Sequence, residues 1–342
     1  MIQKVIIIFI IILPISHVKT QEALHKWVGV YGPKADLKTV QQLKKSGVNT
    51  VFLKAHINAV KFFKKHGFNT LVSFPVFFDS RMLDAHPELH AIDKNGNRLP
   101  RMGWYRGINP AVEWYRKLQL RKIQYIIRQF PADGLFLDFI RFPVHWENKN
   151  PTLIDSSFSA EALKAFEQFA GITIPANLKT VSAQSRWIYE KHLSRWIDFK
   201  CSIITQFINT VKKSILEIKP SLKLGIFMIP WKNDDYNGAI KSIAGQNIDN
   251  VKNIVDYISP MIYHKSLGNN ENWLADILQY FKNKAGEKVF PIIQSFGVKE
   301  GEFLNALRVV NTYPGIKGFT AFSYQYLNHP KWEIMYRYLS PR

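Results

Sequence analysis

The segment DGLFLDFIRFP (133–143) is apolar from Leu135 to Ile140 except for Asp138, and Arg141 follows three residues later. A carboxylate in a buried strand is costly unless it is paired or put to use. Two readings of Asp138 are open. It is a salt-bridge partner of Arg141 or another arginine, or it is a catalytic or substrate-binding carboxylate. Arg141 can hold Asp138 ionised by proximity, or clamp a substrate carboxylate or hydroxyl pair through its planar fork. Carboxylate chemistry on sugars needs two groups, one that moves a proton and one that acts as nucleophile or base. The candidates for the second group follow IPW in the stretch IPWKNDDYNGA, where Asp234 and Asp235 lie just past a strand. That stretch is also good turn or helix-start sequence. Glu147, Asp79, Asp84, Glu300 and Glu302 are weaker candidates on other loops.

Tyr263 and His264 end the run SPMIYH, where a histidine can shuttle a proton or bond a sugar hydroxyl. Tyr31, Trp231, Tyr263, Phe322 and Tyr324 all fall at strand ends. Aromatic rings there suit the apolar faces of sugars, although they also simply cap barrels. His56 and Gln294 are hydrogen-bonding neighbours at the ends of strands two and seven. Other chemistries lack their signatures. There is no HExxH, P-loop, glycine-rich dinucleotide turn or GxSxG elbow, and the histidines are too scattered for a metal set. No cofactor and no metal is expected.

The elements that must position these groups alternate along the chain. Apolar β-type runs occur at 26–32, 48–55, 68–77, 133–143, 222–231, 255–263, 288–297 and 317–325. Most are continuously apolar, as parallel strands buried on both faces should be. Helical patterns fill the gaps at 34–46, 57–66, 110–130, 159–170, 184–219, 239–253, 271–284, 300–312 and 329–339. Gly47 and Gly67 suit helix C-termini, and Asn109 before Pro110 suits a helix start. Eight strand–helix alternations predict a single (β/α)8 TIM barrel with long loops after strands 3 and 4. Right-handed crossovers gather the C-terminal strand ends on one rim, where Asp138 and Arg141 then lie.

The 342-residue chain carries a formal net charge of +20. Its lysines and arginines are scattered along helices, without a basic tail or zinc-finger spacing, so a nucleic-acid partner is disfavoured. A solvated basic face or an anionic glycan suits the charge better. The first residues read MIQKVIIIFIIILPISHVKTQEA. Their apolar core is shorter than the roughly 20 residues a membrane helix needs, so residues 1–20 read as a signal peptide, with cleavage near Thr20–Gln21. The expected mature domain is 21–342, secreted or periplasmic, with no transmembrane span. A lone Cys201 reads as a small buried hydrophobe. The sequence sets no oligomeric state.

The block INPAVEWYRKLQLRKIQYIIRQFPADGLFLDFIRFP (108–143) resembles the strand-four block of glycosyl-hydrolase-like TIM-barrel families, glycosyl hydrolase-like 10 and related DUF4015-type barrels. AHPELHAIDKNGNRL (85–99) is similar to the segment that precedes it there, and AGQNIDNVKNIVDYISPMIYH (244–264) to their strand-six block. RWIDFKCSIITQFINTVKKSILEIKP (195–220) is similar to their tryptophan-containing helix before strand five. The resemblance implies a TIM barrel and glycoside hydrolysis of a polysaccharide or cell-envelope glycan, with Asp138 as leading site carboxylate. Related barrels often place an acid at the end of strand two, where this chain has Lys54 and His56. Asp138 is then expected as nucleophile or principal carboxylate, Asp234 or Asp235 as proton donor, and Arg141, Tyr263 and His264 as substrate-orienting groups. The alternative is a non-catalytic carbohydrate-binding barrel.

Overall fold

The computed structural model describes residues 27–339, so the expected signal peptide lies outside the described residues. Eight parallel strands close a barrel in chain order. They are β1 (Trp27–Tyr31), β2 (Thr50–Lys54), β3 (Asn69–Pro75), β4 (Gly134–Asp138), β5 (Lys223–Met228), β6 (Tyr257–Ile262), β7 (Ile292–Gln294) and β8 (Gly318–Phe322). The helices around it are α1 (Leu37–Lys45), α2 (Ile57–Lys65), α3 (Ser80–Ala85), α4 (Glu113–Gln129), α5 (Ala160–Ala170), α6 (Val181–Lys191) and α7 (Leu193–Ile218). They continue as α8 (Ala239–Ser242), α9 (Ile248–Val251), α10 (Glu271–Ala285), α11 (Glu300–Thr312) and α12 (His329–Leu339). Among the described residues no helix is long and apolar enough to cross a membrane.

Side chains alternate across a strand, so each strand supplies one set to the barrel interior and one to the helix layer. The inward set packs as a separate core containing Phe52, Leu71, Phe136, Phe227, Phe290 and Ile292. Four of these rings meet: Phe52 lies 4.7 Å from Phe136, 5.7 Å from Phe227 and 6.0 Å from Phe290. Together they plug the barrel. The plug needs room on β5, and Gly225 supplies it, because a Cβ there would stand 2.3 Å from the Phe136 ring. Gly225→Ala is expected to cost about 1–3 kcal/mol by overpacking, read as a lower urea midpoint; an unchanged midpoint would contradict a tight plug.

Three helical expectations change. The 184–219 run is two helices, α6 and α7, separated at His192, whose φ/ψ of −140°/21° is not helical. Tyr189 and Trp196 both donate to Asp155 Oδ2, at 2.6 and 3.2 Å. In one straight helix those residues would sit about 10 Å apart along the axis, and the turn at His192 brings them to one oxygen. The 239–253 run is two single turns, α8 and α9. Helix α4 starts at Glu113 and not at Pro110, because Asn109 is used otherwise. Its Oδ1 accepts from Ala111 N (3.0 Å) and Ser157 Oγ (2.8 Å), and its Nδ2 donates to Ser159 Oγ (3.3 Å).

Those bonds join the loops that follow β3 and β4. Ser157 N and Phe158 N both donate to Ile92 O, at 2.8 and 3.0 Å, and Asp93 bridges to Ser156. The two loops are thus fastened into one cap over the β3–β4 sector of the rim. The β4 loop is anchored beneath by the buried Lys200, whose Nζ binds Asp155 Oδ1 and, at 2.7 Å, Ser242 O.

Candidate active site

Asp138 ends β4, opposite Pro75 in the β3 ladder, and shares the inward face of Phe136 one layer higher. It therefore opens above the phenylalanine plug and is partly exposed. Its Oδ1 accepts from Phe139 N at 2.8 Å. Phe139 adopts φ +49°, a left-handed conformation that a bulky residue takes only when its surroundings enforce it. The enforcement is visible: the Phe139 ring stacks on Phe78 (4.6 Å) and Tyr105 (5.8 Å). This turn swings the chain away from the barrel and brings Arg141 inward beneath the cap.

Arg141 is 1% exposed, and its guanidinium lies 4.9 Å from the Phe139 ring centre and 5.4 Å from that of Tyr105. Its Nη2 stands 3.7 Å from Glu147 Oε1. Glu147 also faces His145, with Nε2 3.9 Å from Oε2, and its Oε2 accepts from Trp146 N at 3.3 Å. Burial pushes the Asp138 carboxyl up to about 6 from its ordinary 3.8; Arg141 and the Phe139 N–H oppose the rise, and the Glu147 charge adds to it. Arg141 is thus paired with Glu147, while its charge acts on Asp138 from beyond ion-pair distance.

Aromatic hydroxyls surround the pair. Tyr31 OH donates to Ser73 Oγ at 3.2 Å, and its phenol is raised by burial and then by the Asp138 charge. Tyr263 is raised strongly by burial and then by Asp138, Glu147 and Tyr31. Its ring stacks on Trp146 (5.6 Å) and lies 5.5 Å from Phe322. Burial lifts Tyr105 to about 12, against Arg141. All three phenols stay protonated near neutrality and can donate hydrogen bonds.

The other expected site residues have different surroundings. The charges acting on Asp235 are those of Asp234, Lys232 and Asp276, and its Oδ2 accepts from Lys232 N at 2.7 Å. Asp234 is exposed just before that short turn. The charges acting on Asp138 are instead Arg141 and Glu147. The acid whose charge acts on Asp138 is Glu147, from the β4 loop, whereas Asp235 organises its own turn. Gln294 is spent on backbone: its Oε1 accepts from Lys265 N (3.0 Å) and Ser266 N (3.3 Å), and its Nε2 donates to Ser266 Oγ and Phe296 O (2.9 Å each). Tyr324 OH bonds Thr39 Oγ1 at 3.2 Å, toward the helix layer. His56 is exposed at the start of α2. His264 is 1% exposed with both ring nitrogens lacking a partner, and burial lowers its pKa. Trp231 is 2% exposed, against Tyr236 at 4.9 Å. Among the described residues no three His, Cys, Asp or Glu side chains converge as a metal site.

A closed eight-stranded barrel with carboxylates at its C-terminal mouth is the architecture of glycoside hydrolase barrels. The chain belongs to the family described as "Putative glycosyl hydrolase domain" (DUF4015), whose model matches residues 36–335. Its fold is similar to the PgaB (BpsB) glycoside hydrolase domain from Bordetella bronchiseptica, at 11% identity and TM-score 0.68, covering 93% of this chain and 99% of that one. It is also similar to the catalytic domain of a β-amylase from Paenibacillus polymyxa, at 11% identity and TM-score 0.58, covering 92% and 97%. A β-galactosidase from Marinomonas ef1 matches at 13% identity and TM-score 0.62, covering 87% of this chain and 54% of that one, so the chain spans about half of that enzyme. No curated protein matches the chain.

Proposed function

We propose that the chain is a glycoside hydrolase acting on a polysaccharide or cell-envelope glycan through Asp138 and Glu147. The observation that carries this reading is Asp138 at the inward-facing end of β4, with the charges of the buried Arg141 and its ion-pair partner Glu147 both acting on it. Family membership supports it. The raised Asp138 suits the proton donor, one of the roles open to the principal carboxylate that the sequence marks. Asp138 gives its proton to the departing glycosidic oxygen. Glu147 either bonds the anomeric carbon or takes a proton from the attacking water. Tyr31 and Tyr263 orient the sugar with their hydroxyls. The leader-like residues 1–20 support export to the periplasm or medium.

The test is reducing-sugar release from a panel of neutral and acidic polysaccharides by the wild-type chain, Asp138→Asn and Glu147→Gln. Release by the wild type that both variants lose supports the reading. Release that survives in either variant removes that residue from the chemistry. A second expectation concerns pH. The donor form of Asp138 disappears as pH rises through about 6, so kcat/KM should fall on the alkaline side of that value. A profile flat from pH 5 to about 8 would contradict a donor role for Asp138.

A further inference from the structure

We propose that the hairpin Arg101–Tyr105 forms an acidic-sugar subsite beside the carboxyl pair, with Trp104 as stacking platform and Arg101 as partner for the sugar's carboxylate. This deepens the hydrolase reading and rests on it. The segment tip is fixed by the Met102–Tyr105 bridge, whose N–H groups exchange bonds with the opposite carbonyls at 3.1 and 3.0 Å. Gly103 turns the tip at φ +62°, and a Cβ there would stand 3.3 Å from the His145 ring. The tip therefore lies directly on the residue that faces Glu147.

Trp104 is 50% exposed although its ring is held on several sides. Phe78 lies 5.7 Å away, Phe139 6.1 Å and His145 6.2 Å. Phe139 follows Asp138 in the chain and His145 faces Glu147, so the indole is linked to each carboxyl group through one intervening residue. A large ring that is anchored yet open beside a sugar-cleaving centre is what stacking on a pyranose face requires.

The surroundings are cationic. Residues 94–106 contain Lys94, Arg98, Arg101 and Arg106 and no acid. Arg106 is committed to Asp84 at 2.7 Å. Arg101 is exposed, bonds Gly103 O through Nε at 2.8 Å, and has no carboxylate among the described ion pairs. A small indentation beside the tip is lined by Arg101, Arg106, Met102 and Pro143, the last closing the Asp138 segment. Lys54, which ends the neighbouring β2 on the same face as Phe52, is exposed and adds to the positive charge of the rim. A uronate unit placed on Trp104 meets the Arg101 charge, whereas a neutral sugar gains only the stacking.

The experiment is titration of oligogalacturonate against uncharged xylo- and chito-oligosaccharides of equal length, in the Asp138→Asn background so that nothing is consumed. The acidic ligand is expected to bind about tenfold tighter than either neutral one. Trp104→Ala should weaken it about tenfold and Trp104→Phe much less. Arg101→Ala should weaken it about fivefold and flatten its salt dependence. Lys213→Ala, an equal charge loss on the exposed side of α7, should leave it unchanged. No preference for the acidic ligand, or Trp104→Ala binding as its parent does, overturns the subsite. Failure of the hydrolase reading appears separately, as turnover retained by Asp138→Asn with Trp104 in place.

Discussion

Asp138→Asn is expected to lower turnover by about a thousandfold or more while making the protein more stable at pH 7. The loss of rate follows from the donor role, because an amide cannot release a proton to the leaving oxygen. The gain in stability follows from the same burial that raises this carboxyl to about 6. An Asp that ionises near 3.9 in the unfolded chain and about 6 in the folded one binds more proton when folded. Stability is therefore lost as pH climbs from about 4 to about 6, and the full penalty, at most about 3 kcal/mol, persists at neutrality. Asparagine keeps an acceptor for Phe139 N without the charge, so part of that penalty is recovered at pH 7 and none at pH 4. Urea midpoints at the two pH values check this. Equal midpoints for variant and parent at pH 7 would mean that Asp138 sits comfortably ionised.

The largest effect on stability is expected from Asp155→Ala, at about 3–5 kcal/mol. Lys200 is fully enclosed and Asp155 is 9% exposed. The carboxylate also receives Tyr189 OH at 2.6 Å, Trp196 Nε1 at 3.2 Å and its neighbour Ser156 N at 2.8 Å. Removing it strands a buried ammonium and leaves a phenol and an indole N–H unpaired. It also frees the β4 loop that carries Glu147, so activity should fall with stability. Pairing Asp155→Leu with Lys200→Met removes both charges and should recover part of the lost stability. An unfolding cost below about 1 kcal/mol for Asp155→Ala would show that this node carries little.

The barrel is legible in the sequence because its strands are buried on both faces. LFL before Asp138, GIF on β5 and VFL on β2 leave no polar side to confuse with an amphipathic helix. Gly47 and Gly67 also end their helices as expected, with φ of +72° and +82°. Asp138 stands out for the same reason, as a lone charge in such a run. The second carboxyl is harder to see. Glu147 lies nine residues past Asp138 in an aperiodic loop, and its position depends on the Phe139 turn, on Arg141 folding inward and on the anchorage at Asp155. None of these has a local sequence pattern. Asp234 and Asp235 look better on paper because adjacent acids at a strand end resemble a site, yet Asp-Asp-Tyr-Asn-Gly is spent on its own turn. The break at His192 is equally silent, since the helical periodicity runs through it, and only convergence on Asp155 requires it.

In the proposed mechanism two carboxyl groups, Asp138 and Glu147, act as one unit at the mouth of the barrel. Its most direct measurement is a carboxyl 13C titration of Asp138 in the wild-type chain and in Glu147→Gln. A wild-type midpoint near 6 is expected, moving down once the neighbouring negative charge is gone. A midpoint at the ordinary value of about 3.9, unmoved by the substitution, would contradict it.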